Sequence, residues 1–169
     1  MSANKDRRVE PFAIAALLCE TNPPPRILVV EDDDDIRMLN TEALLHSGYR
    51  VDAAEDGAVA WEALQLNDYD LLITDNQMPN VSGVELLYKI HAARIKLPTI
   101  LVTGAPPTEE LKRHPWMKVE AMLLKPFTFE EFLTTVKGIL HRVQGHAAKP
   151  ATSSPYQQNQ PPSAGWQPG

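Results

Sequence analysis

Short apolar runs alternate along the chain with longer stretches whose apolar residues recur every three or four positions. The runs predict five strands, at 26–30, about 50–54, 70–74, 98–103 and 119–124. Four of them are nearly continuous in apolar side chains, which suits strands covered on both faces. The stretches between them predict helices. The first spans roughly 34–47, with Ile36, Leu39, Ala43 and Leu44 on one face and Gly48 past its end. The second spans about 57–67, with Ala60, Ala63 and Leu64 inward. The third, near 83–94, opens on the capping box Ser82-Gly83-Val84-Glu85 and turns Val84, Leu87 and Ile90 inward.

A fourth helix is confined to 108–113, because Pro106 and Pro107 delay its start and Pro115 ends it. The fifth, from 129 to about 142, opens on a second capping box, Thr128 to Glu131, with Phe127 and Phe132 stapling its entry. Phe132, Val136, Ile139 and Leu140 continue its apolar stripe. Five repeats of strand then helix predict an α/β fold, a doubly wound five-stranded parallel sheet with helices on both faces. Ligands of such sheets bind beyond the carboxyl ends of the strands.

Those ends carry the chemistry. The first strand finishes in Glu31-Asp32, the third in Asp75, the fourth in Thr103-Gly104 and the fifth in Lys125-Pro126. Singly, each has an ordinary structural reading: a helix cap, a Lys125–Asp75 salt bridge, a hydroxyl closing a strand. Together at successive strand ends they read as one site. Glu31, Asp32 and Asp75 would repel one another. A hard divalent cation relieves that repulsion, and Mg²⁺ suits a site with few carboxylate ligands and room for a phosphoryl group. A raised pKa on one acid is the alternative relief. Asp33, Asp34 and Asp35 read as a solvated loop that caps the first helix and complements its dipole. Asp75 is placed to act as a nucleophile that forms an acyl phosphate. Lys125 and the metal would neutralise the phosphoryl oxygens, and Thr103 would donate a hydrogen bond to one of them. Gly104 leaves the approach open.

These residues, in this order and spacing, resemble the receiver domain of two-component response regulators, the CheY-like family. The resemblance covers 26–142. It rests on Ile27-Leu28-Val29-Val30-Glu31-Asp32, on Asp75 followed by Met78-Pro79 and Ser82-Gly83, on Thr103-Gly104, and on Lys125-Pro126-Phe127. It implies the flavodoxin-like strand order 2-1-3-4-5. It implies that Asp75 accepts a phosphoryl group from a sensor histidine kinase or a phosphotransfer protein. It implies Mg²⁺ held by Asp32, Asp75 and the backbone carbonyl of Gln77, with Glu31 acting through water. It also implies a cis Lys125-Pro126 bond. Such a receiver is a switch of protein–protein interactions with slow autodephosphorylation at most, not a turnover enzyme. Two positions depart from the family. Met122 stands three residues before the lysine, where an aromatic usually swings inward with the threonine, and the fourth helix is short. Trp116 and Met117 beside that helix read as core cover or as a partner patch.

Composition narrows the remaining options. Residues 1–25 read as an extension ending in the stiff Pro23-Pro24-Pro25, and 143–169 as a disordered Pro-, Gln- and Ser-rich tail in which Tyr156 and Trp166 are weak anchors. No second folded domain is expected after 142, so output is expected through an unknown downstream protein. A net charge of -6 argues against direct nucleic-acid binding. The single cysteine, Cys19, fits a reducing cytoplasm. Residues 12–19 follow Lys5, Arg7 and Arg8 in the layout of an export signal, but the stretch is short and Leu18 stands where a small residue is needed. No run is long enough to span a membrane.

Two enzyme classes fit less well. Aspartate-nucleophile phosphatases of the haloacid dehalogenase type need a second aspartate where Gln77 stands. Nucleotide-binding modules need glycines where Glu31-Asp32 stand. A degenerate receiver that acts as an adaptor without phosphate is the alternative that Met122 keeps open. The five histidines, His46, His91, His114, His141 and His146, show no ligand spacing and read as surface or helix-end residues.

Overall fold

A computed structural model of the chain describes residues 23–147. The expectations placed on Cys19, the N-terminal extension and the tail beyond 147 lie outside those residues. The order is β1 (Arg26–Val30), α1 (Asp34–His46), β2 (Arg50–Ala54), α2 (Gly57–Leu66), β3 (Leu71–Asp75), α3 (Gly83–Ala92), β4 (Thr99–Thr103), α4 (Thr108–Arg113), β5 (Ala121–Leu124) and α5 (Phe129–Ala147). All four strand pairings are parallel, in the order β2-β1-β3-β4-β5.

Alternation along each strand sends side chains to two cores. Ile27, Val29, Ile73, Ile100 and Val102 pack with Leu44 of α1 and Phe132, Val136, Ile139 and Leu140 of α5. Leu28, Val30 and Leu72 pack with Ala60 and Leu64 of α2 and Leu86 and Ile90 of α3. A smaller cluster of Leu87, Leu101 and Met117, with Met122 against it, lies beneath α4. Met122 thus serves as packing, a task its unbranched thioether suits.

The helix ends follow the expected chemistry. Ser82 and Glu85 form the reciprocal capping box of α3. Thr128 and Glu131 do the same for α5, where the Phe127 and Phe132 rings stack at 5.9 Å. The aspartates Asp33 and Asp56 cap α1 and α2.

Several details differ from the sequence pattern. Leu39, expected inward, is exposed, and Asn40 is buried in its stead. The inward face of α3 carries Leu86 as well as Leu87 and Ile90, while Val84 is half-buried. β3 runs one residue further than its apolar run, because Asp75 pairs with Val102 and the Asn76 amide donates to the Val102 carbonyl. β5 starts at 121, since tight turns hold 114–118 until the Glu120 amide reaches the Thr99 carbonyl. α5 continues five residues beyond the expected end, to Ala147. Met117 is buried and Trp116 half-buried, so both cover the core. His91, exposed on α3, stacks on Trp116 at 4.1 Å, and His114, at the end of α4, lies 5.3 Å from the same ring, in keeping with their surface and helix-end reading. Among the described residues no helix is long and apolar enough to cross a membrane.

Phe132 is fully buried at the centre of the larger core. Phe132→Ala is expected to lower the unfolding free energy by about 3–5 kcal/mol in a urea titration. A loss below about 1 kcal/mol would mean that the α5 packing is not as described.

Candidate functional site

Parallel pairing brings the carboxyl ends of β1, β3, β4 and β5 to one edge, and the expected site residues come with them. Carboxylate oxygens of Glu31, Asp32 and Asp75 lie within 4.8 Å of one another. Glu31 and Asp75 are buried and Asp32 is exposed. The Lys125 ammonium enters from β5. It donates to both Glu31 oxygens at 3.2 and 3.0 Å and to Asp75 Oδ2 at 3.0 Å. Asp75 Oδ1 accepts from the Asn76 amide at 2.7 Å. The Lys125-Pro126 bond is cis.

Glu31 is therefore tied directly to Lys125. Burial pushes its carboxyl above the ordinary range, and the neighbouring Asp75 and Asp32 add to that push against the pull of Lys125. Burial alone would lower Lys125, but the hydrogen bonds from its ammonium to Asp75 and Glu31 more than offset this and hold it above its ordinary value. The donor set fits a hard divalent cation: oxygen ligands only, two of them buried, with the exposed Asp32 on the open side. Thr103 is at the expected strand end but fully buried. Its hydroxyl donates to the Ala105 carbonyl at 2.8 Å and accepts from the Ala105 amide at 3.3 Å. Gln77 lies exposed in the turn after Asp75. A Cβ at Gly104 would meet nothing within 4 Å.

Further residues frame this cluster, and of these the sequence reading passed over Arg37, Asp56 and Asn80. Arg37 of α1 donates to the Glu31 carbonyl at 2.7 Å and pairs with Asp34. Gly83 packs so tightly on the Asp75 carbonyl that a Cβ there would lie 2.3 Å from it. Asp56 and Asn80 bond across two loops at 2.6 Å. The capping signature of Asp56 before α2 was readable in the sequence. Its contact with Asn80, 24 residues away, was not.

A parallel sheet of this order with buried acids and a lysine at its carboxyl edge defines a receiver. Residues 27–137 match the response regulator receiver domain, and the chain belongs to that family. It is 33% identical over 124 residues to the transcriptional regulatory protein RprY of Bacteroides fragilis, covering 73% of this chain and 52% of that one. The chain thus spans about half the length of that relative. A CheY-like receiver domain protein from Methanospirillum hungatei superposes with a TM-score of 0.68 at 27% identity, covering 73% of this chain and 98% of that one. The response regulator TrrA of Thermotoga maritima, solved in complex with Mg²⁺-BeF, gives a TM-score of 0.60 at 34% identity over 68% of this chain and 98% of that one. Because the first relative is a transcriptional regulator by name, the expectation of no direct nucleic-acid contact has no support here.

The ionic balance of the site sets a pH-dependent stability. The folded state raises Glu31, so its carboxyl binds a proton more readily folded than unfolded. Ionised Glu31 then costs stability above its folded pKa, and that cost vanishes as the pH falls below the ordinary 4.5. Removing Lys125 exposes the cost. Lys125→Met is expected to destabilise by about 3 kcal/mol at pH 7, the lower end for breaking a buried pair. The deficit should shrink toward pH 4 in matched urea titrations. An equal deficit at both pH values would assign the loss to packing.

Proposed function

We propose that this chain is a phosphorylatable receiver in which Asp75 accepts a phosphoryl group from a histidine kinase or phosphotransfer protein. The observation that carries the reading is the Lys125 ammonium held 3.0 Å from Asp75 Oδ2 beside two further carboxylates. A carboxylate oxygen of Asp75 attacks phosphorus, the P–N bond of the donor phosphohistidine breaks, and the imidazole leaves with the bonding pair and takes up a proton from water. Lys125 stays protonated, because its ammonium is held above its ordinary pKa, and it meets the phosphoryl oxygens as an electrostatic partner. Thr103 would leave its bond with Ala105 to donate to the phosphoryl group.

Mg²⁺ would be held by Asp32, Asp75 and the Gln77 carbonyl, with Glu31 acting through water, and would supply charge neutralisation of the phosphoryl group. The Mg²⁺-BeF complex of the Thermotoga relative supports a metal at this site, though not a particular ligand set. On this reading the protein is a cytoplasmic switch of protein–protein contacts and not a turnover enzyme. The second reading, a phosphate-independent adaptor, is favoured by Met122, which packs into the cluster with Leu101 and Met117 and offers no aromatic to swing.

Intact-mass measurement after incubation with acetyl phosphate separates the two. Wild type is expected to gain one phosphoryl group only when Mg²⁺ is present, and Asp75→Asn to gain none. No gain in folded wild type, together with no beryllofluoride binding, would support the adaptor.

A further inference from the structure

The loop between β3 and α3, residues 76–82, is held at three places. At its start the Asn76 carbonyl accepts from the Gly83 amide at 3.2 Å, and the Asn76 side chain accepts from Val84 at 3.3 Å. At its end the Gly57 amide donates to the Val81 carbonyl at 3.2 Å. The chains come so close there that a Cβ on Gly57 would lie 2.5 Å from that oxygen. Between these points Asn80 donates to Asp56 Oδ2 at 2.6 Å, from a left-handed backbone with φ 61°. Asp56 is buried, and its other oxygen is already committed to the Ala58 and Val59 amides that start α2, at 2.8 and 2.9 Å. A carboxylate fixed at one oxygen by a helix cap is a rigid acceptor at the other.

Gln77 sits inside this loop, two residues after Asp75 and three before Asn80. Nothing in its own exposed side chain fixes it. We infer that Asp56 and Asn80 are positioning residues: their bond holds the 76–82 loop so that the Gln77 carbonyl stays aimed beside Asp75. The inference rests on the receiver reading of Asp75 and the Gln77 carbonyl. It assigns to α2, which contributes no residue to the site, control over one metal ligand through the cap of its first turn. Residues that orient a ligand from behind commonly govern metal affinity as well as local order.

Two variants cut the bond from opposite sides. Asn80→Gly removes the amide but tolerates the left-handed backbone. Asp56→Ser keeps an oxygen to cap α2 but is too short to reach Asn80. Mg²⁺ affinity by calorimetry and the urea midpoint are measured for wild type, both variants and the double variant. Each single variant is expected to weaken Mg²⁺ binding roughly tenfold. The double variant should be no weaker than either single variant, since one bond is lost in all three. Amide hydrogen exchange at 76–82 should quicken in step. Unchanged Mg²⁺ affinity in both variants beside a lowered urea midpoint would make the bond purely structural and overturn the inference. A wild type that binds no Mg²⁺ would instead overturn the receiver reading, and this inference with it.

Discussion

Three carboxylates and one ammonium share the carboxyl edge of the sheet, and that concentration of charge depends on mutual compensation. Glu31 and Asp75 come from adjacent strands and are both buried. Unpaired, two such anions side by side would cost more than the surrounding packing could offset. Lys125, from the far strand β5, bridges both at about 3 Å. The bridge makes the ends of β1, β3 and β5 interdependent. The cation and the anions it compensates are thus held together by the fold itself.

The rest of the fold supplies the rigidity this arrangement needs. Ile27, Leu28, Leu71, Leu72, Ile100 and Leu101 are fully buried, so the strands that present the site are fixed from both faces. By contrast, α4 has no buried residue and no side-chain cap. The sheet edge around Thr103 is therefore firm below, at β4, and looser above, at α4. Thr103 marks that border, with its hydroxyl turned to the Ala105 carbonyl just before the short helix. The two sides of Thr103 therefore differ in how firmly they are packed. Met122 adds to this asymmetry, because a thioether in the Leu87–Leu101–Met117 cluster can repack without the concerted swing of a ring.

Some contacts at the opposite edge show how charge is managed away from chemistry. Arg26 pairs with Asp52, which also accepts from the Tyr69 hydroxyl at 2.8 Å. Burial beside that carboxylate pushes the Tyr69 phenol up to about 12. The network ties the start of β1, the middle of β2 and the approach to β3 together. Acids at both ends of the sheet are thus paired with cations, and among Glu31, Asp32 and Asp75 only Asp32 lies exposed on the open side.

The element order, the doubly covered sheet, the caps of α3 and α5, and the polar strand ends Glu31, Asp32, Asp75, Thr103 and Lys125 are all written in the chain. These are legible because apolar periodicity, proline punctuation and capping pairs act over a few residues, and because parallel strands necessarily bring their carboxyl ends together. What those groups contact depends on packing. Glu31 engages Lys125 directly, Thr103 turns to Ala105, Leu39 yields its inward place to Asn40, and Asp56 reaches Asn80 across two loops. Such outcomes depend on distances between residues far apart in the chain, set by the packing of α1, α2 and β5 on the sheet. No local pattern encodes those distances, so the polar groups at the sheet edge were readable from the chain but their contacts were not.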